Sequence, residues 1–257
     1  MGPVRKVAIT GSASGIGAAT RRRLESAGDA VLGVDVREAE LIADLSTLGG
    51  RAQAVEGILA KTGGKLDGLV LCAGVGPSQA VAPEILSINY YGSVALLEGL
   101  RVALVAGEKP AAVLISSNAA TTVPGIPQDM VDALLHGEEG DARWAAESAD
   151  PSHAYAASKL ALARYMRRTA PSWAHDGVRL NAVAPGAVQT PLLQAGLDDE
   201  VLRPLIEAVP LPRGELGKPE EIAAAIAFLL GDEAAFCCGS VLFVDGGTDA
   251  VLRPDGF

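Results

Sequence analysis

Aromatic side chains make up only 4% of this 257-residue chain. Ala, Val, Leu and Ile must therefore fill the core, and the apolar share of 49% suits one large α/β domain over residues 1–257. Cysteine is scarce as well, with only Cys72, Cys237 and Cys238. An odd count without paired spacing excludes a disulfide framework, and Cys72, inside "LVLCAG", reads as a small core residue. No Cys/His cluster has zinc-ligand spacing, so no metal is expected. Positive charge is short too: 21 Lys and Arg stand against 31 Asp and Glu, a net charge of −10. Without a basic stripe, nucleic acid is excluded as a partner. No apolar stretch approaches the roughly 18 residues of a membrane span, and no apolar h-region precedes "VRKVAIT". These absences predict a protein of the reducing cytoplasm that works on a small molecule.

Short apolar runs alternate with longer helical patterns. "KVAIT", "AVLGVDV", "LDGLVLCAG", "AAVLISS", "VRLNAVAP" and "SVLFVD" read as strands. Between them lie helical patterns at Ile16–Ala27, about 47–61, 86–106, 152–173 and 219–230. Near-continuous apolar strands alternating with helices predict a doubly wound, Rossmann-type parallel sheet covered on both faces. Ligands of such sheets sit beyond the carboxyl ends of the strands. Residues 119–151, helical and acidic, break the rhythm as an insertion.

"TGSASGIG", Thr10 to Gly17, falls where the first strand turns into the first helix. Gly11 allows the tight turn, Gly15 lets backbone approach a ligand, and Gly17 permits helix to pack on sheet. The N–H groups around Ser12, Ser14 and Ile16, at the helix start, suit a pyrophosphate. Asp35 closes the second strand about 20 residues later, where a carboxylate accepts hydrogen bonds from ribose hydroxyls and repels a 2′-phosphate. Ser14 stands where a basic residue would favour NADP. NAD is the expected cofactor, with NADP left open by the nearby Arg37.

"YAASK" places Tyr155 four residues ahead of Lys159, on one helix face. A phenol titrates near pH ~10, too high for a base at neutral pH, and an adjacent ammonium plus an oxidised nicotinamide would lower it. Taken alone, the pair is also one turn of an ordinary helix. The glycine turn supplies something for it to act on.

With these motifs the chain resembles the short-chain dehydrogenase/reductase family over nearly its whole length. The resemblance rests on TGSASGIG, "CAG" at 72–74, Asn89 in "INYYG", Ser117 in "ISS", YAASK and "RLNAVAPG" at 179–186. Cys72 stands where the family more often has Asn. The resemblance implies that Tyr155 exchanges a proton with the substrate oxygen, that Ser117 binds that oxygen, and that Lys159 holds the nicotinamide ribose. It further implies that Asn89 holds a water leading from Lys159. Ala73 and Gly74 would serve through their backbone, Asp44 and Leu45 border the adenine, and Val188 and Thr190 lie by the nicotinamide. Within the family, "DVREAELIADLST", "DGLVLCAG", "TPLLQAGL" and the tail "DGGTDAVLRPDGF" are similar to members acting on 3α-hydroxysteroids. The 38 positions between Ser117 and Tyr155 fit that group too; in most relatives only a short stretch separates the two. The implied substrate is a steroid or another apolar ketone or alcohol. Other carbonyl substrates, or an NAD-binding scaffold without chemistry, stand as alternatives.

Two further expectations concern shape. Val131, Leu134 and Leu135 of the insertion form an apolar stripe that needs a partner, its own core or another subunit. The insertion is expected near the site entrance, blocking one helical face and leaving a homodimer through another. "AVQTPLLQAGLDDEVLRPLIEAVPLP" is expected to form a lid rich in leucine.

Overall fold

The computed structural model describes residues 4–256. Seven parallel strands form one sheet: β1 (Lys6–Thr10), β2 (Ala30–Asp35), β3 (Leu41–Ile42), β4 (Gly68–Leu71), β5 (Ala111–Ile115), β6 (Arg179–Pro185) and β7 (Val241–Val244). Their order is β3-β2-β1-β4-β5-β6-β7. The chain winds outward from β1 to β3, then returns to place β4 on the other side of β1. The order reverses there, so a crevice opens beyond the carboxyl ends of β1 and β4.

Alternation along each strand feeds two cores. Leu69 and Leu71 of β4 and Ala112 and Leu114 of β5 join one, with Ala54 and Ile58 of helix α2 (Leu48–Thr62). Val70, Val113 and Ile115 point the other way, toward Leu24 of α1 (Gly15–Ser26). Because both faces are covered, these strands read as continuous apolar runs. The two-residue β3 offers no run at all. It exists because Leu41 and Ile42 pair with Val34 and Asp35.

The pattern at 86–106 predicts one long helix, and the structure divides it. Helix α3 (Ala82–Leu86) passes into a π-helical segment, Ser87–Gly92, then α4 (Ser93–Gly99) and α5 (Arg101–Val105). Leu100, between the last two, leaves helical geometry with φ −102° and ψ 2°. Apolar periodicity cannot register the extra residue of a π turn, and such turns gather at functional sites. This one carries Asn89.

The insertion folds as α6 (Ala119–Thr122), α7 (Gln128–His136) and α8 (Glu139–Ala145). It leads into α9 (Pro151–His175), whose N-cap Asp150 accepts from the Ser152 and His153 amides. Val131 and Leu134 are buried in the larger core together with Ala157 and Ala161 of α9. The stripe is thus satisfied within the chain. Gln128 accepts from Arg164, and His136 meets Arg168, both on α9. Those arginines lie nine residues beyond Tyr155 and Lys159, half a revolution round the helix. Only α6, directly after Ser117, is near the site; α7 lies along the opposite face of α9. The insertion thus begins at the site with α6 and runs away from it with α7.

After β6 come α10 (Pro191–Asp198) and α11 (Arg203–Glu207), then α12 (Pro219–Leu230) beside α1 and α13 (Thr248–Leu252) at the C-terminus. No described helix is long and apolar enough to cross a membrane.

Candidate active site

The crevice begins at the glycine turn. Gly11 has φ +66°, and a Cβ there would lie 2.8 Å from the Ala73 nitrogen at the end of β4. A Cβ on Gly17 would stand 2.0 Å from the Gly11 carbonyl oxygen, so no side chain is admissible there. Thr10 Oγ1 accepts from the Ala73 amide at 3.1 Å and ties the two strand ends together. Ser14 caps α1 in extended backbone without a side-chain hydrogen bond, and the first turn of α1 carries no acid. The helix start is therefore electropositive. The Ser12 hydroxyl is buried with no partner. An unpaired buried hydroxyl is costly and fits a group that a ligand completes.

Asp35 does more than sequence spacing indicates. Its Oδ2 accepts from the Ala13 amide at 3.0 Å, and Oδ1 accepts from Val36 at 2.8 Å. The carboxylate thus closes the glycine turn onto β2, and its remaining lone pairs are available to ligand hydroxyls. Asp44 Oδ1 accepts from Ser46, while Leu45 is buried against the π-helical segment.

Ser117, Tyr155 and Lys159 converge beyond the end of β5. Lys159 Nζ donates to the Ile115 carbonyl at 2.9 Å and stands 5.7 Å from the Tyr155 ring centre. The Lys159 carbonyl in turn accepts from Ser116 Oγ at 2.9 Å, pinning α9 to β5. Ser117 accepts from the Ala119 amide at 3.1 Å, and its hydroxyl lies near enough to the Tyr155 phenol to favour the phenolate. Burial pulls the Lys159 ammonium down to about 8. Burial also pushes the Tyr155 phenol above its ordinary value, against the Ser117 hydroxyl. The protein by itself thus raises the phenol, whereas the lowering expected from Lys159 together with an oxidised nicotinamide concerns the cofactor-bound site. Desolvation likewise holds the Cys72 thiol up at about 12, against the Lys159 charge, so it is unreactive.

Asn89 is fully buried within the π-helical segment. Its Oδ1 accepts from the Val75 amide at 2.9 Å, and its Nδ2 donates to the Val75 carbonyl at 3.1 Å. A Cβ on Gly74 would meet both Asn89 Oδ1, at 3.1 Å, and Lys159 Nζ, at 3.5 Å. Gly74 is what lets these two groups approach. Ser158, missed by the sequence analysis, donates to the Tyr155 carbonyl and accepts from Asn89. Its position inside YAASK was the available signal.

A lid closes the other side. Val188 is buried and bridges to Gly217, while Thr190 caps α10 by accepting from Leu193. A Cβ on Gly15 would lie 3.3 Å from the Thr190 methyl, and one on Gly76 would lie 3.1 Å from Leu192. The lid therefore spans from the glycine turn to the loop after β4. Its cations are engaged: Arg203 donates to the Leu197 carbonyl, and Arg213 pairs with Glu215 and Glu221. Leu192 is the lid side chain that lies over the loop after β4.

Comparisons with known proteins show which chains this one is similar to. Residues 5–128 match the family model described as short chain dehydrogenase, and residues 140–249 match that of enoyl-(acyl carrier protein) reductase. The gap between them falls in the insertion. The chain is 46% identical to 3-alpha-hydroxysteroid dehydrogenase/carbonyl reductase of Comamonas testosteroni, over 98% of this chain and 99% of that one. It is 35% identical to cis-4-hydroxycyclohexanecarboxylate dehydrogenase of Sinomonas cyclohexanicum, over 96% and 97%. Among solved structures, the 3-alpha-hydroxysteroid dehydrogenase from Pseudomonas sp. B-0831, complexed with NADH, superposes with TM-score 0.96 at 50% identity. That match covers 98% of this chain and all of the other.

Proposed function

The chain belongs to the short-chain dehydrogenase/reductase family, and on that footing we propose that it interconverts 3α-hydroxysteroids and 3-ketosteroids with NAD. The observation that carries the reading is the meeting of Ser117, Tyr155 and Lys159 beside the glycine turn. The residues present fit a dinucleotide: a buried unpaired Ser12 hydroxyl, a helix start without a side-chain cap hydrogen bond, and Asp35 with acceptor capacity to spare. Gly11, Ser12, Ser14, Gly15, Ile16 and Gly17 would hold the pyrophosphate, Asp35 the adenosine ribose, and Asp44 and Leu45 the adenine. Ala73, Gly74, Tyr155, Lys159, Val188 and Thr190 would hold the nicotinamide half.

The bound dinucleotide supplies the acceptor or donor of hydride. Tyr155 takes the hydroxyl proton of the alcohol during oxidation and returns one to the carbonyl oxygen during reduction. Ser117 fixes that oxygen by hydrogen bonding, so the proton moves along a set direction. Lys159, anchored on Ile115, orients the ribose and steadies the phenolate as it forms. Asn89 holds the Val75 backbone in place and, by the family resemblance, would hold a water beside Lys159 through which the proton leaves. An apolar lid without an available cation suits a rigid hydrocarbon skeleton, whose burial contributes roughly 25 cal/mol per Å². Both comparisons at 46% and 50% identity support the steroid.

The test is the initial rate of NADH formation from NAD with a 3α-hydroxysteroid, its 3β epimer and simple alcohols, repeated with NADP. The 3α compound is expected to exceed its epimer, and NAD to exceed NADP, each by roughly 10-fold or more in kcat/KM. No oxidation of the 3α compound, beside ready turnover of small ketones, would sink the steroid assignment and leave the chemistry standing.

The same reading includes a homodimer. Helix α7 occupies the outer face of α9, so that face is closed to a partner. Phe228 of α12, Phe236 and Leu242 of the edge strand β7 are exposed on the far side. A paired α12–β7 face covers them. Light scattering should give twice the chain mass, and Phe236→Asp should shift it toward the monomer. A tetramer built through the helices carrying Asn89 and Tyr155 would contradict this arrangement.

A further inference from the structure

Arg51 is a buried cation outside the reacting groups, and every hydrogen bond of its side chain leaves its own helix. Its side chain is 5% exposed. Nε donates to the Leu45 carbonyl at 2.7 Å, and Nη2 donates to Ser87 O at 2.9 Å and Ser46 O at 3.3 Å. The guanidinium also forms a two-armed pair with Glu139 of α8, at 2.5 and 2.8 Å. Burial pushes the Glu139 carboxyl up, but hydrogen bonds with Arg51 and Ser87 and the nearby cations outweigh it and hold it below its usual range. Arg143, on the same helix, donates to Ser87 Oγ and to the Pro83 carbonyl. The contacts beneath are tight. A Cβ on Gly50 would lie 1.9 Å from the Asp44 carbonyl oxygen, and one on Gly92 would lie 3.2 Å from Leu45 Cβ.

One guanidinium thus joins three parts of the chain: the 44–46 loop, the first residue of the π-helical segment that carries Asn89, and the insertion. A buried cation needs its carboxylate; with that partner gone, the uncompensated charge must draw in water or move. The groups free to move are the carbonyls of the 44–46 loop and of Ser87, because α2 itself is fixed in the core.

We propose that Glu139 is a positioning residue for dinucleotide affinity: through Arg51, the insertion holds the 44–46 loop in the shape that receives the adenine end. The inference rests on the reading above that Asp44 and Leu45 border the adenine. It gives the insertion a task beyond closing a helical face. Because coupling is reciprocal, dinucleotide binding must also steady α8, which it never touches.

The test begins with NAD titrated into the wild-type protein by calorimetry. Absence of binding there would sink the dinucleotide reading itself. With binding established, Glu139→Gln is expected to raise the NAD Kd by roughly 5-fold or more, a common size for coupling between sites. Its kcat at saturating NAD and alcohol should stay near wild type, and Glu139→Asp should recover part of the affinity. Should Glu139→Gln fail to fold, the double variant Arg51→Met/Glu139→Leu removes both charges without leaving one unpaired, and the same loss of affinity is expected. Hydrogen exchange gives the second readout. NAD should slow exchange of the α8 amides in wild type, and this slowing should vanish in Glu139→Gln. An unchanged Kd, or equal protection of α8 in both proteins, with only a lower Tm, would overturn the proposal and leave the pair a structural one.

Discussion

Tyr155→Phe should lower turnover by about 10²-fold or more while leaving NAD affinity near wild type, since it deletes the group that carries the proton. The ring stays, so the contact with Lys159 and the packing of α9 are kept, and little stability is lost. The phenol sits above its ordinary value because it is buried, so oxidation by the wild-type protein should speed up as pH rises and the phenolate fraction grows. Reduction, which needs the protonated phenol, should show the reverse trend. Both slopes should flatten in the Phe variant. Steady-state rates across pH in the two directions check this, and near-normal turnover of the variant would remove Tyr155 from its role.

Lys159→Met is expected to separate activity from stability. Turnover should fall by about 10²-fold or more, because the ammonium that orients the ribose and steadies the phenolate is gone. Thermal stability should hold or rise. The folded protein brings this ammonium down to about 8, whereas in the unfolded chain it titrates at its ordinary 10.5. Below pH ~8 both states carry the charge, and the folded state bears the whole cost of burying it, about 3 kcal/mol for a shift of this size. As pH climbs from there through the ordinary value, the folded state sheds its proton first, so wild-type stability gains from this group across that window. Methionine has no charge to bury and no such gain. Leaving the Ile115 carbonyl without its donor costs about 1–3 kcal/mol, so the expected net change at pH 7 is about 0–2 kcal/mol in favour of the variant. Calorimetric scans from pH 7 to 11 decide it; a clear drop in Tm at pH 7 would mean the buried ammonium stabilises the fold.

The sheet was legible wherever a strand is covered on both sides. Leu69, Val70 and Leu71 announce β4 because both of its faces are buried, while Leu41 and Ile42 make β3 through pairing alone. Helices were legible by apolar spacing, which explains the miss at 86–106. The apolar stripe there continues through Leu86, Tyr90 and Leu97, and it hides a π turn and a break at Leu100. Site residues were legible in proportion to how local their geometry is. Tyr155 and Lys159 share one helix face, and the glycine turn is contiguous. Arg51 with Glu139 was out of reach, because 88 residues separate them and nothing local distinguishes a buried arginine from a solvated one. The environment of Tyr155 was legible only in part, for a related reason. A neighbouring lysine is visible in the sequence, but the depth of burial that opposes it is set by the whole fold.

The lid and the chemical groups differ in how much change each tolerates. Ser117, Tyr155 and Lys159 hang from the end of β5 and from α9, which are tied together by Ser116 Oγ on the Lys159 carbonyl and by Lys159 Nζ on the Ile115 carbonyl. Helices α10 and α11 pack largely on one another, with Ile206 over Gly196, and Leu205 and Val201 lie open to solvent. Substitutions there disturb few buried contacts and should cost little stability. Substrate range is therefore the exchangeable part of this protein and reaction type the inherited part. Natural divergence, or a directed library confined to 191–207, can exchange one apolar alcohol for another while leaving the proton path untouched.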